Sequence, residues 1–236
     1  MKTLCIIPCK AESKGLPRKY HQQFQGRTVF DWTYSACKQC RGIDDILIPS
    51  DDLRLFDRLQ EQGQARDDHV HLLHSEPLPE GQTVRKHLHP KILEIWRNST
   101  GWHGDLMVIN VQGLIVDPEI VSAAVNILKL QGNGQLQAVF PVDHGHPLYL
   151  FSMDNNGLVE FVQGHDLDEI TTREGFQPVF HSGPIFGRFD PPRPGPRHPL
   201  ILRPWQAREL HAVEDLDILD AIQKHRHEAD IVRAPG

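Results

Sequence analysis

Residues 1–20 read MKTLCIIPCKAESKGLPRKY, an apolar run that is followed closely by basic side chains. Residues 4–8 are β-rich and end at a proline, which predicts a short buried strand. Open α/β sheets bind ligands at the carboxyl ends of their strands. The loop after this strand therefore predicts an anionic ligand, in particular a phosphate group. The basic residues of the stretch are Lys2, Lys10, Lys14, Arg18 and Lys19.

The composition is that of an ordinary globular protein of 236 residues, with 39% hydrophobic and 24% charged residues. A chain of this length can bury a substantial core. The net charge of −6 argues against a general nucleic-acid-binding protein, because such domains carry a basic face. No apolar run is long enough to span a membrane, and residues 4–7 are too few for a signal-peptide core. We therefore expect a cytoplasmic protein that binds neither nucleic acid nor membranes.

All four cysteines lie in the first fifth of the chain, and two of them form a single CxxC pair. A structural zinc site needs a second such pair, so we expect free thiols, with Cys5 and Cys37 in the core. A metal or redox role is the alternative. The fifteen histidines show no ligand spacing such as HExxH, and most are expected on the surface.

The apolar pattern alternates between strands and helices through the first 142 residues. Asp117 and Pro118 are typical of a helix start, and Pro90 is expected to interrupt its helix. This order predicts a doubly wound α/β sheet with parallel strands and right-handed crossovers. Strands are predicted at 4–8, 44–52, 69–74, 105–113 and 136–142, and helices at 28–40, 52–63, 82–98 and 117–132.

The pattern changes after about residue 143. A hairpin is predicted at 146–162 around Asn-Asn-Gly, and a further strand at 179–189. The proline-rich stretch 190–199 is expected to be a loop without strand or helix, and 209–229 a closing helix. We therefore predict a single domain over 1–236, in which about 144–205 form a β-rich insertion over the sheet.

Three segments, IIPCKAESKGLPRKY at 6–20, SDD at 50–52 and VINVQG at 108–113, resemble the cytidylyltransferases that activate acidic sugars, the CMP-sialic acid and CMP-Kdo synthetases. Segments at 146–161, 177–186 and 213–222 also have family counterparts in the same order. The resemblance implies a Rossmann-like nucleotide-diphospho-sugar transferase fold and a homodimer. Residues at family positions of the opening loop are Pro8, Lys10, Ser13, Lys14, Pro17, Arg18 and Lys19.

The resemblance implies a reaction that moves CMP from CTP to an acidic acceptor and releases pyrophosphate. Lys10 and Lys19 are the candidate catalytic residues, because cations there would stabilise charge on the departing pyrophosphate. Asp51 or Asp52 could contact the nucleotide, and a helix N-cap is the open alternative for this position. For the lysines, a solvated basic loop is the structural alternative. The candidate nucleotide-binding residues are Pro8, Cys9, Ala11, Ser13, Lys14, Arg18, Ser50, Asp52 and Gln112.

The acceptor is expected to bind in the β-rich insertion, as the family resemblance implies. Because the sequence departs from both family patterns, a phosphonate is a candidate acceptor beside an ulosonic sugar acid. For each histidine alone, a surface or packing role is the alternative. The candidate acceptor-binding residues are His144, His146, Tyr149, Arg173, Gln177 and His181.

Metal binding is where the sequence departs from its relatives. CMP-Kdo synthetases carry a magnesium-binding Asp in NVQGDEP, and Leu114 stands at that position here. At the second acidic motif, Glu209 and His211 take the two positions. Imidazole is a poorer ligand for Mg²⁺ than carboxylate and a better one for Mn²⁺. Three interpretations stay open: a divalent metal on Glu209 and His211, a metal held by the triphosphate with help from Asp117 or Asp215, or lost catalysis.

Two other functions therefore compete with CTP-dependent transfer to an acid. One is a nucleotidyltransferase with a different base or a sugar-phosphate acceptor. The other is a nucleotide-binding homologue without catalysis, which the departures at Leu114 and His211 favour.

Overall fold

A computed structural model describes most of the chain. The described residues are 1–11, 16–63, 67–75, 89–141, 151–153, 159–161, 180–206, 210 and 212–233. Two short hydrogen-bonded pairs of strands, β2 with β3 and β8 with β9, accompany a seven-stranded sheet. The sheet strands are β1 (Lys2–Ile6), β4 (Asp45–Ser50), β5 (Val70–His74), β6 (Leu106–Val111), β7 (Gln135–Pro141), β10 (Phe180–Asp190) and β11 (Arg197–Ile201).

The sheet order is β11-β7-β10-β6-β1-β4-β5. β1 lies between β4 and β6 and pairs in parallel with both, while β10 runs antiparallel to β6 and β7. β11 pairs in parallel with β7. The doubly wound, mostly parallel α/β sheet predicted from the sequence is thereby confirmed. Two strands from the 144–205 span, β10 and β11, belong to this central sheet.

Helices cover both faces of the sheet. β1 alternates between the two layers: Cys5 faces the larger buried cluster and Leu4 the smaller one. The larger cluster contains side chains of four helices, and the smaller one contains Trp96 and its neighbours on a single helix. The helices are α1 (Val29–Lys38), α2 (Leu53–Glu61), α4 (Pro118–Gln131) and α5 (Val213–Arg233) on the first face, and α3 (His89–Thr100) on the second.

Capping side chains set the helix starts. Thr28 and Asp31 form a reciprocal capping box at α1. Asp52 caps α2 through the Arg54 amide. Asp117 caps α4 through the Glu119 amide, and Pro118 takes the first helical position. The helix start predicted at Asp117 is therefore confirmed.

Two local predictions need correction, and a third stays a prediction. Pro90 lies in the first turn of α3, where its missing N–H costs nothing, and residues 82–88 lie outside the described residues, so the interruption expected at Pro90 stays a prediction. Residues 197–199, expected to be loop, begin the edge strand β11. An edge strand tolerates Pro199 because one of its sides needs no donor. The short strands β2 (Gln23–Phe24) and β3 (Arg27–Thr28) were not predicted.

The predicted hairpin around residues 155–157 is confirmed in its strands. β8 (Phe151–Met153) pairs antiparallel with β9 (Val159–Phe161). The four cysteines are free, as predicted, and Cys5 and Cys37 are buried, as predicted; Cys9 and Cys40 are buried as well. A hydrogen bond with the Cys37 thiol, together with burial, raises the pKa of the Cys5 thiol, so it stays protonated and unreactive.

None of the described helices combines the length and apolarity that a membrane span requires.

Candidate active site

The site lies where the order of the parallel strands reverses. The chain runs outward from β1 to β4 and β5, and then returns through α3 to β6 on the other side of β1. The crevice outside the carboxyl ends of strands at such a reversal is the usual ligand site of doubly wound sheets. Three predicted segments meet there: the start of the basic loop, residues 50–52 after β4, and residues 112–113 after β6.

The basic loop begins attached to the end of β4. The Cys9 amide donates a hydrogen bond to the Pro49 carbonyl at 2.9 Å, which continues the pairing of β1 with β4. The Ala11 amide donates to Asp51 Oδ1 at 2.6 Å. Lys10, between these two anchors, is partly exposed. Its backbone is therefore fixed on both sides while its side chain has access to solvent.

The far end of the basic loop forms a 3₁₀ turn, Lys19–His21. Arg18 precedes it with a left-handed backbone, φ 50°, which is uncommon for a residue other than glycine. Tyr20 is buried, and its hydroxyl oxygen accepts the Gly113 amide at 3.4 Å. His21 Nε2 lies 2.7 Å from Asp52 Oδ2. The turn thus contacts both the β6 side and the β4 side of the crevice.

Asp52 has its carboxylate fully engaged. Oδ1 accepts the Arg54 amide at 3.1 Å and Arg54 Nε at 3.2 Å, while Oδ2 faces His21. Burial acts to raise the pKa of Asp52, but the hydrogen bonds from His21 and Arg54 outweigh it and the pKa is lowered. The N-cap role proposed for this residue is confirmed. A contact with the nucleotide stays a prediction.

Cys9 and Tyr20, near the two ends of the basic loop, are both neutral. Burial raises the pKa of the Cys9 thiol well above its usual value. Burial also raises the pKa of the Tyr20 hydroxyl. Neither group is therefore an ionised nucleophile near neutral pH, and both serve as uncharged packing beneath the cations.

The β6 side presents an exposed amide side chain on a fixed backbone. The backbone N–H of Gln112 donates a hydrogen bond to the Pro184 carbonyl at 2.9 Å, and the Gln112 side chain is exposed. Gly113 has φ +83°, a conformation that favours glycine. The Thr33 hydroxyl donates to the Gly113 carbonyl at 2.6 Å and accepts the Ile115 amide at 3.0 Å. Gln112 is thus held at the crevice, in the place that the sequence predicts.

Leu114 supplies no metal ligand. It is 6% exposed and belongs to the larger buried apolar cluster. It also lines a small pocket whose other residues are both apolar, such as Phe24 and Trp205, and polar, such as Asp117. In the described parts of the chain, no group of three or more His, Cys, Asp or Glu side chains could hold a metal ion. The second expected metal position, at Glu209 and His211, lies outside the described residues.

The structure brings together the described members of the predicted nucleotide set. Six predicted residues lie on the basic loop: Pro8, Cys9, Lys10, Ala11, Arg18 and Lys19. Ser50 and Asp52 lie beside it. Ser50 is completely buried, and its hydroxyl accepts the Asp52 amide at 3.0 Å. Nine other predicted residues lie outside the described residues: Ser13, Lys14, His144, His146, Tyr149, Arg173, Gln177, Glu209 and His211. The backbone of His181 belongs to β10, but its side chain is outside the described part.

Three residues of the site were not predicted: Tyr20, His21 and Thr33. Their hydrogen bonds join segments far apart in the sequence: Gly113 comes 93 positions after Tyr20, and Asp52 comes 31 positions after His21. Spacing within a single segment gives no sign of such contacts. A polar threonine on the apolar face of α1, 0% exposed, was the one local signal available.

Comparison with known proteins decides the family. A family model described as cytidylyltransferase matches residues 4–137, which is more than half of the chain. The chain belongs to the cytidylyltransferase family. The match includes β1 from Leu4 onward, the basic loop, β4 and β6, and therefore the three segments that meet at the crevice.

One curated relative in this comparison is the 3-deoxy-manno-octulosonate cytidylyltransferase of Koribacter versatilis (strain Ellin345). It is 30% identical over 63 residues, which cover 27% of this chain and 24% of that protein. The aligned region thus spans about a quarter of the relative's length.

Solved structures of two cytidylyl enzymes share the fold. A CMP:2-keto-3-deoxy-manno-octonic acid synthetase in complex with CTP matches with a TM-score of 0.63 at 12% identity, over 96% of this chain and 100% of that one. A 4-diphosphocytidyl-2C-methyl-D-erythritol synthase from Anaerococcus prevotii DSM 20548 matches with a TM-score of 0.59 at 14% identity, over 94% and 96%. At these identities the likeness establishes the cytidylyltransferase fold for the chain.

Proposed function

We propose that this protein is a CTP-dependent cytidylyltransferase, which transfers CMP from CTP to a small acidic acceptor and releases pyrophosphate. The observation that carries the proposal is the position of the cationic loop. Lys10 and Lys19 lie on a segment anchored at the strand-order reversal, within the region that the family model matches.

Electrostatics gives these cations their importance. Two unit charges about 4 Å apart interact by roughly 4 kcal/mol at an effective dielectric constant of about 20. CTP carries several negative charges, and an anionic acceptor must approach its α-phosphorus. Lys10 and Lys19 offset that repulsion and stabilise the charge that develops on the leaving pyrophosphate.

The need for a general base depends on the acceptor. A phosphonate is already ionised near neutral pH, so its oxygen attacks the α-phosphorus directly, whereas a sugar acid that attacks through a hydroxyl must also give up that proton to a base or to solvent. The new oxygen–phosphorus bond forms as the bond to the bridging oxygen breaks, and the electron pair leaves with pyrophosphate. Positioning and charge neutralisation supply most of the rate in such phosphoryl-group chemistry.

The acceptor class is a sugar acid or a phosphonate. The names of the Koribacter relative and of the CTP-bound synthetase support a keto-sugar acid. Gln112 is proposed to contact the nucleotide, and the six residues predicted from the insertion are proposed to bind the acid. A divalent metal is proposed at Glu209 and His211. A homodimer and a cytoplasmic location stay predictions.

The test is an incubation with CTP, Mg²⁺ or Mn²⁺, and a panel of acids that includes sialic acid, Kdo and several phosphonates. Released pyrophosphate is measured, and CMP adducts are identified by mass. Turnover with one acid supports the reaction and identifies the acceptor. The same assay run with UTP, GTP and ATP tests the base, and a preference for any of these contradicts the cytidylyl assignment.

A second candidate function is a nucleotide-binding protein without catalysis. One observation favours it: Leu114 is buried among apolar side chains at the position where relatives carry a metal-binding carboxylate. This alternative predicts CTP binding without turnover under any divalent metal.

A further inference from the structure

Two neighbouring carboxylates at the end of β4 contact the two ends of the basic loop. Asp51 Oδ1 accepts the Ala11 amide at 2.6 Å, and Asp52 Oδ2 lies 2.7 Å from His21 Nε2. The segment between these contacts includes Lys19, which is two residues before His21. The separation of the loop ends is therefore set by two side chains on one short piece of backbone.

Asp52 is itself rigidly held. Its side chain is 5% exposed, and its own amide donates to the buried Ser50 hydroxyl at 3.0 Å. Its second oxygen accepts two hydrogen bonds from Arg54. Turning this carboxylate toward a ligand would break contacts that also cap α2. Its geometry suits a fixed support better than a mobile ligand-binding group.

The same 3₁₀ turn is attached on its other side through Tyr20, whose hydroxyl accepts the Gly113 amide. Adjacent residues of one turn thus contact opposite sides of the crevice. Lys19 directly precedes them, so the direction of its backbone is determined by both contacts.

We propose that Asp51 and Asp52 are positioning residues that hold the two ends of the cationic loop, and that Asp52 acts on Lys19 through His21. The inference rests on the proposed function for its effect on CTP. Preorganised cations bind an anion more tightly because less conformational entropy is lost on binding. The backbone of Lys19 is therefore held in place before the nucleotide arrives.

The experiment compares variants of the His21–Asp52 contact. His21→Leu removes the hydrogen bond, whereas His21→Gln keeps an N–H donor. Asp52→Asn retains an N-cap oxygen and removes the charge, and it serves as a second variant. The matched control is His71→Gln: His71 contacts Asp45 at 3.3 Å, at the opposite end of the same strand β4.

The first measurement is amide hydrogen exchange over residues 10–22 without nucleotide. We expect faster exchange in His21→Leu and Asp52→Asn, near wild-type exchange in His21→Gln, and no change in His71→Gln. The second is the Kd for CTP by calorimetry. We expect a rise of roughly tenfold in His21→Leu, the size of a lost hydrogen bond to a charged group.

A double-mutant cycle separates positioning from a purely structural role. If His21 acts through Lys19, then His21→Leu adds little to the CTP-binding loss of Lys19→Ala. Fully additive losses would contradict the inference, as would wild-type exchange and wild-type Kd in His21→Leu. If the wild-type protein does not bind CTP, the proposed function fails. In that case unchanged exchange in the variants overturns the positioning role by itself, and faster exchange supports it.

Discussion

The Thr33 hydroxyl donates a hydrogen bond to the Gly113 carbonyl at 2.6 Å, which joins the buried face of α1 to the end of β6. The same oxygen accepts the Ile115 amide at 3.0 Å. The Gly113 amide donates to Tyr20. Gly113, beside the exposed Gln112, is thus held at its carbonyl from the helix layer and at its amide from the basic loop.

Thr33→Val should lower the free energy of unfolding by about 1–3 kcal/mol, because it leaves a buried carbonyl and a buried amide without their partner. Thr33→Ser keeps the hydroxyl and should lose much less. Urea unfolding, followed by tryptophan fluorescence, measures both. Equal losses in the two variants would show that the methyl group, and not the hydrogen bonds, carries the effect.

Lys19→Ala should reduce kcat/KM for CTP by about 100-fold or more while the protein stays folded, because a cation aligned with developing charge is lost. Pyrophosphate release measures the activity, and a thermal melt verifies the fold. The control is Lys38→Ala, which removes an exposed lysine paired with Asp67 at 3.1 Å at the end of α1. Unchanged activity in Lys19→Ala would remove this residue from the phosphate site.

Much of the fold could be predicted because its signals are local. The apolar run at 106–111 is a strand in any context that buries it, and the Asp117–Pro118 pair specifies a helix start by itself. The alternation of such segments then implies a parallel sheet. Lys10 follows a predicted strand and Gln112 lies at the end of another, and the resemblance to the family marked both as candidate site residues.

The missed features depend on pairing between distant segments. β11 contains Pro199 and forms because it pairs with the edge of β7. No local sequence pattern indicates that pairing. Tyr20 and His21 look like ordinary loop residues until Gly113 and Asp52 are placed beside them. The same limit explains why Asp52 could be placed in the crevice but not assigned to one of its two roles.

Acid should destabilise the protein through Asp45 at the amino end of β4. Its buried carboxylate contacts Lys2 Nζ at 2.9 Å and His71 Nε2 at 3.3 Å. Burial acts to raise the pKa of Asp45, but the hydrogen bonds from Lys2 and His71 outweigh it and hold the pKa below its usual value.

Because the folded-state pKa is lowered, the stabilisation from Asp45 is fully present above the unfolded value of about 3.9 and is lost as pH falls through the folded value. We expect the free energy of unfolding to fall below about pH 4, and Asp45→Asn to weaken that dependence. Urea unfolding between pH 3 and pH 7 tests this. Asp68→Asn, at an exposed site, is the control, and an equal change in its pH profile would contradict the assignment.

His211→Asp should shift the metal preference of the enzyme. A carboxylate suits Mg²⁺ better than imidazole does, whereas imidazole suits Mn²⁺. If Glu209 and His211 hold the metal, His211→Asp raises activity with Mg²⁺ relative to Mn²⁺. Glu209→Ala and His211→Ala should each raise the metal concentration required for half-maximal activity, because a ligand is lost.

The measurement is pyrophosphate release at saturating CTP over a titration of each metal. Glu214→Ala is the matched control, since it removes an exposed acidic side chain in the first turn of α5 without touching the proposed ligand pair. Metal curves that are identical in the wild-type protein and all three site variants would contradict the ligand assignment. The alternative would then be a metal held by the triphosphate, with help from Asp117 or Asp215. Activity in that case should follow the concentration of the metal–CTP complex and not that of free metal.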